Sequence, residues 1–257
     1  LAYWKLDESS GNAADSVASF TLTNNGTATF SAGKINNGTD LELGSAQNFT
    51  TTTAPGINGG AMSIQAWVKV ESPAPSGADE RRNIVMLQDD TNDVSYILMY
   101  RFESAALKIS INRLKNGVAD GFLNYTTTLT AGTWYHIVWT YDTTNTNVYL
   151  NASLVIGPSA QSGNGSGTTT SGIAIGRSIQ GARTDYWDGM IDEVGVWTRA
   201  LSSGEVTSLY NGGSGLAYPF SSGGPTNLKS YNTNVFANIK NINTNLIANV
   251  KSLNTNS

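Results

Sequence analysis

The chain contains no cysteine, one histidine, six prolines and few charged residues. Without cysteine there is no thiol nucleophile, disulfide, iron–sulfur cluster or thiolate-bound metal. One imidazole, His136, cannot build a zinc site that needs two or three. Charged residues make up 13% of the chain, well below the usual ~25%. Serine, threonine, asparagine and glycine take their place, so hydroxyls and amides wet the surface, as is common in secreted and virion proteins. A net charge of −4 lacks the basic footprint of a nucleic-acid binder. No run of eighteen apolar residues occurs, so no helical membrane span is expected.

At 257 residues the chain is long enough for one large all-β domain or two ordinary ones. It can bury a core without disulfides or a structural metal. It begins at Leu1 and enters a strand-like run at once, the expected remainder after removal of a signal peptide or an upstream domain. Asn-x-Ser/Thr sequons begin at Asn25, Asn37, Asn48, Asn124, Asn151 and Asn164, which permits a glycosylated exterior. The expectation is a chain outside the cell, on a cell surface or on a virion.

Composition divides the chain. Residues 1–220 carry all the acids and a net charge of −7, whereas 227–257 carry Lys229, Lys240 and Lys251, no acid and ten asparagines. Between them, 221–226 read as a Ser/Gly/Pro linker. In the large region, Met62 to Val70 alternates: Met62, Ile64, Ala66, Val68 and Val70 share one face, and Ser63, Gln65, Trp67 and Lys69 the other. Trp134 to Tyr141 is apolar on both faces, as a doubly buried strand would be. Tyr96 to Phe102, Ala106 to Arg113, Val148 to Leu150, Ile173 to Gly176 and Trp187 to Trp197 continue the strand pattern. One segment, Ser202 to Tyr210, reads as a helix, with Ser202 and Glu205 spaced for a capping box. Many short strands and one short helix predict an all-β fold, two antiparallel sheets packed as a jelly-roll sandwich.

Particular blocks support this. AYWKLDESSGNAADS at 2–16, AMSIQAWVKV at 61–70, GTWYHIVWTYD at 132–142, VYLN at 148–151, IAIGR at 173–177 and DGMIDEVGVWTRALSSGEVTSLYN at 188–211 occur in this order. Together they resemble the laminin-G-like, concanavalin-A-like lectin/glucanase jelly-roll family over about 1–218. The resemblance implies a carbohydrate-recognition or adhesion module, often calcium-binding, on a fold that also hosts structural modules and glycosidases. Where the family usually has Asn-Gly in a hairpin turn, this chain has Asn151-Ala152. Because alanine tolerates positive φ poorly, a different turn is expected there.

The resemblance also suggests where an ion would sit. Calcium takes six to eight hard oxygen ligands, and family sites join the first-strand turn to the Ile-Asp-Glu-Val strand. Asp15 and Asp192 match those places, with Asp7 nearby and Glu8 and Glu193 adjacent. The bland alternative has Asp15 capping a turn and Asp192 paired with an arginine. Asp89, Asp90 and Asp93 lack the spacing of a calcium loop and read as a solvated hairpin tip, with a second ion or a sugar-hydroxyl site as the alternative.

Catalysis finds little support. Glycoside hydrolysis needs two carboxyls facing one cleft, and related glucanases carry Glu-x-Asp-x-x-Glu on one strand. Here Asp192 and Glu193 are adjacent and face opposite sides of a regular strand. Asp188 and Asp192 could share a face, but Asp192 is already taken by the ion reading. His136, mid-strand, reads as a packing residue. Trp4, Trp67, Trp134, Trp139 and Trp197 fall in core-strand blocks. Tyr96, Tyr100, Arg101, Tyr186 and Trp187, near strand ends or loops, remain as ligand-binding candidates.

The tail repeats every eleven residues: LKSYNTNVFAN, IKNINTNLIAN, VKSLNTNS. Its apolar set includes Val235, Phe236, Ile239, Ile242, Leu246, Ile247 and Val250. An eleven-residue helical period fits, but asparagine and threonine disfavour helix, and extended segments broken by Asn-Thr-Asn turns are the preferred alternative. A segment of this size holds no core of its own, so it is expected to join copies of the chain. The expectation is therefore a non-catalytic, glycan-binding surface module that self-assembles through its tail. A purely structural fibre subunit is the rival, and a glycosidase the least favoured.

Overall fold

The computed structural model describes residues 2–53, 60–71, 74–77, 79–89, 94–115, 118–119, 121–160, 172–179 and 185–220. The linker, the repeat tail with its assembly residues, Asp90, Asp93 and Asn164 lie outside them. In chain order the first strands are β1 (Ala2–Trp4), β2 (Thr23–Asn25), β3 (Thr29–Ala32), β4 (Asn37–Leu41), β5 (Asn48–Thr51), β6 (Met62–Val70), β7 (Arg81–Asp89) and β8 (Val94–Glu103). There follow β9 (Ala106–Lys115), β10 (Val118–Ala119), β11 (Leu123–Thr126), β12 (Trp134–Tyr141), β13 (Asn145–Leu150), β14 (Ser153–Ala160), β15 (Gly172–Ile175) and β16 (Gly189–Trp197).

Among the described residues these strands form two antiparallel sheets. The first runs β14-β13-β12-β6-β16-β4-β3, with β1 also on β16; the second runs β10-β9-β8-β7-β15-β5-β2, with β11 also on β9. Their inner faces enclose one core, and the alternation in β6 is realised: Met62, Ile64, Ala66, Val68 and Val70 all point into it. So do Trp4, Trp139, Phe49 and Tyr96. The fold is the expected jelly-roll sandwich.

The outer face of the first sheet is buried as well. Helix α1 (Ser203–Tyr210) and the segment 216–220 pack Val206, Leu209, Leu216, Tyr218 and Phe220 against Tyr3, Val138 and Trp197. This second cluster explains why β12 reads as apolar on both faces. The helix begins as its sequence requires: the Ser202 side chain accepts the Glu205 N–H and the Glu205 side chain takes the Ser202 N–H. Gly195 is fixed by packing, because a Cβ there would lie 2.4 Å from the Trp197 ring and 2.9 Å from Tyr3.

Three local expectations are corrected. Asn151 and Ala152 both adopt left-handed φ, 50° and 64°, so the two-residue turn keeps its positive-φ form despite the alanine. The Ala152 methyl packs on the second cluster, and the Asn151 Oδ1 accepts the His136 N–H at 2.9 Å, which offsets the strain. Trp134 is only half-buried, at the start of its strand, with the Lys69 ammonium 5.3 Å from its ring. Asp192 and Glu193 do not face opposite sides. A bulge between Asp192 and Gly195, with Glu193 at φ 50°, turns both carboxylates to the face that α1 covers.

Candidate functional site

The carboxylates of the ion reading, Asp7, Asp15 and Asp192, are each engaged by the chain itself. Asp15 Oδ1 accepts the N–H groups of Tyr3 and Val17 at 3.0 and 2.9 Å, and Oδ2 that of Phe20 at 3.4 Å. Asp192 Oδ2 accepts the N–H groups of Lys34 and Ile35, and Oδ1 that of Glu193. Asp7 accepts the Asn37 N–H and the Asn36 side-chain amide. Calcium would need these oxygens to converge. The three residues do not bring their carboxylate oxygens together as one group of metal-ligating spacing among the described residues. Asp15 is a turn cap. Asp192 closes the Lys34–Ile35 turn, and no arginine pairs with it among the described residues.

Glu193 belongs to a buried polar chain. The Tyr3 hydroxyl donates to its Oε2, the Gln65 amide donates to Tyr3 and to the Glu193 carbonyl, and Gln65 Oε1 meets His136 Nε2 at 3.1 Å. Burial pushes Glu193 up to about 7 and Asp192 up to about 9, and pushes His136 down to about 3. His136 stacks on Trp67, whose other contacts are Tyr210 and the Lys34 ammonium. It is the packing residue that was expected.

The proposed ligand-binding aromatics mostly serve the fold. Tyr96 lies in the core beside Trp139, and Trp187 is fully buried there, so neither offers a ring to a ligand. Tyr100 is buried too, its hydroxyl accepting the Leu129 N–H. Arg101 is 1% exposed and fully employed, between Glu103 at 2.7 Å, Asp79, Ser110, Asn124 and the Phe122 ring. Tyr186 is half-buried, with the Arg177 guanidinium 5.7 Å from its ring. Asp188 pairs with Arg82 and accepts the Leu43 N–H. Three further acids, Asp40, Glu42 and Glu71, bring carboxylate oxygens within 4.8 Å of one another. Burial, followed by the charges of Asp40, Glu42 and Asp188, raises Glu71.

The concavity that sequence reasoning missed is a cleft of about 580 Å³ between the loop 9–12 and the crossing from β2 to β3. Here the chain passes from the second sheet to the first, through Gly26 and Thr27 at left-handed φ. Ser9, Ser10, Gly11 and Asn12 form one wall, and Asn24 with Thr27, Ala28, Thr29 and Phe30 the other. Asn24 ties the walls together. Its N–H donates to Asn12 Oδ1, its amide donates to the carbonyls of Gly11 and Ala28, and its Oδ1 accepts the Ala28 N–H, all at 2.8–3.1 Å. The Phe30 ring is half-buried, edge-on to Phe49. The size lies within the ~300–1,000 Å³ of small-molecule sites. The only signal for it in the sequence is a run of Ser, Gly, Asn and Thr, which any loop shares.

This sandwich and the matching sequence define the class: residues 43–207 match the model of the concanavalin A-like lectin/glucanases superfamily. The chain belongs to that family. Among curated proteins no relative matches the sequence. Similar solved structures include domain 4 of AbnA, a GH43 extracellular arabinanase from Geobacillus stearothermophilus, at 17% identity and a TM-score of 0.59 over 80% of this chain and 95% of that one. The botulinum neurotoxin serotype D binding domain gives 12% identity and 0.64, with 82% and 51% covered. A Trypanosoma rangeli sialidase gives 13% and 0.58, with 81% and 32% covered. The chain thus spans about half of the toxin domain and a third of the sialidase. At these identities the likeness is one of fold.

Proposed function

We propose that this chain is a non-catalytic carbohydrate-binding module of a cell or virion surface, with the cleft between residues 9–12 and 24–30 as its ligand site. The observation that carries the reading is the cleft itself, a pre-formed concavity of hydroxyls and amides beside one aromatic ring. Polyols are recognised by that chemistry, a few fixed polar groups on an apolar support. The AbnA domain, solved with arabinotriose, lends support, since carbohydrate is a ligand class this architecture accommodates. Asp192 and Glu193 are buried and Asp188 is paired with Arg82, which favours binding over hydrolysis. Binding of the full chain to a glycan array, together with no release of reducing sugar, is the expected result; turnover would refute the non-catalytic part.

A hydrolytic second reading has one observation in its favour, the close carboxylates of Asp40, Glu42 and Glu71, since such enzymes work with paired acids. Activity on β-glucans or arabinans that disappears in Glu71→Gln would establish it. For assembly, we read the acid-free tail as joining copies of the chain. Its +3 complements the −7 of residues 1–220, an attraction that salt weakens. Light scattering on a chain ending at residue 222 should show a smaller assembly than the full chain. Equal masses would dismiss the tail as connector.

A further inference from the structure

Building on the carbohydrate-binding reading, we infer that the cleft selects neutral saccharides and rejects sialylated, uronic or sulfated ones. None of its lining residues is charged. A bound carboxylate or sulfate is normally met by arginine, lysine or a helix N-terminus, because taking an anion out of water without such a partner is costly. Here the walls offer serine and threonine hydroxyls, the Asn12 side-chain amide and backbone groups. These can donate to and accept from sugar hydroxyls in either sense.

The electrostatic surroundings act in the same direction. Asp7 and Glu8 directly precede the wall at Ser9, and Glu8 accepts the Ala14 N–H just beyond it. The sandwich as a whole is acidic, so its field opposes the approach of an anion and leaves a neutral ligand unaffected.

The cleft is also prepared in advance. Asn24 makes two hydrogen bonds to the facing wall, at Asn12 and Gly11, and two to Ala28 in its own wall, which holds the walls in place and spares the ordering cost that a mobile loop would incur on binding. Phe30 is the one aromatic in the lining, and its contact with Phe49 fixes the ring. A pyranose or furanose can set its C–H face there while the hydroxyls at its rim meet Ser9, Ser10, Asn12 and Thr29.

The test is a glycan array carrying neutral, sialylated, uronic and sulfated oligosaccharides, probed with the full chain, followed by calorimetry on the best neutral hit. Two variants are compared by thermal melting and binding. Ser10→Trp plugs an exposed wall, and Phe30→Leu keeps apolar volume but removes the flat ring. The expected result is binding confined to neutral sugars, abolished by Ser10→Trp and weakened about tenfold by Phe30→Leu, with the Ser10→Trp melting temperature unchanged. Neutral binding untouched by Ser10→Trp would overturn the cleft as the site. Binding only to acidic sugars would overturn the selectivity while leaving the carbohydrate reading intact. No binding to any class would remove both.

Discussion

Asp15 offers a decisive contrast between a turn cap and an ion ligand. In Asp15→Ala the N–H groups of Tyr3 and Val17 lose acceptors at 3.0 and 2.9 Å, and Phe20 loses a longer one. Hydrogen bonds to a charged group contribute about 1.5–3 kcal/mol each. The Tyr3 N–H belongs to a fully buried residue, whereas Asp15 and Val17 are partly open to solvent. Counting one strong bond and one weaker, the loss is about 3 kcal/mol. In a domain of this size each kcal/mol moves the melting point by about 2–4 °C, so Asp15→Ala should melt ~6–12 °C lower. Asp15→Asn, which keeps an oxygen acceptor, should lose less than half of that. Calorimetry of each protein in EDTA and in millimolar Ca²⁺ completes the experiment. A cap predicts the same drop in both buffers and a wild type indifferent to chelation. If EDTA lowers the wild type to the level of Asp15→Ala and Ca²⁺ restores only the wild type, the carboxylate is a metal ligand and the reasoning fails.

Three further outcomes follow from the buried groups and the packing. His136, depressed to about 3 by burial, contributes stability that is fully present above its unfolded value near 6.5 and is lost as pH falls toward 3. Relative to His136→Gln, the wild type should therefore lose about 2 kcal/mol between pH 8 and pH 5, and parallel urea-melt profiles would contradict this. Glu193, raised to about 7, works in the opposite sense, its contribution being present at acid pH and lost as pH rises from about 4.5 through 7. Glu193→Gln should hence gain on the wild type by ~3 kcal/mol over that window, and a constant difference across it would count against the assignment. Gly195→Ala, whose methyl meets Trp197 and Tyr3, should cost about 1–3 kcal/mol by overpacking, and a denaturation midpoint equal to wild type would show that the helix-side cluster yields freely.

The fold was largely legible because burial leaves a periodic trace. The alternation of β6 and the two-sided apolar pattern of β12 follow directly from one core on the inside and a helix on the outside. The Ser202–Glu205 box is local and was readable for that reason. β2, built of Thr and Asn alone, and β3 and β5, each of small polar or Ala residues around one phenylalanine, leave almost no such trace. The acids at 192 and 193 misled for a physical reason: alternation holds only in a regular ladder, and a single residue at positive φ reverses it. Trp187 and Tyr96 sit near segment ends in the sequence yet in the core in space, which spacing alone cannot express. The cleft was hidden most completely. Its walls are twelve or more residues apart along the chain and share no pattern, and it takes the hydrogen bonds of Asn24 and the Ala13–Leu22 bridge beside them to show that they belong together.

Tyr3 touches Tyr218 and Phe220, each with ring centroids 5.4 Å away. The strand that enters the sandwich and the segment that leaves it are therefore neighbours. A short peptide between residues 2 and 220 should close the chain into a ring, and new ends could be cut at an exposed loop. The arrangement also has a mechanical meaning. When the module is pulled from both sides within a longer chain, the load passes through this aromatic stack and the three-residue strand β1, whose partner is β16. It does not cross the walls that Asn24 ties together. The module then behaves as a pendant on its chain, able to carry tension at its root while the cleft keeps its shape.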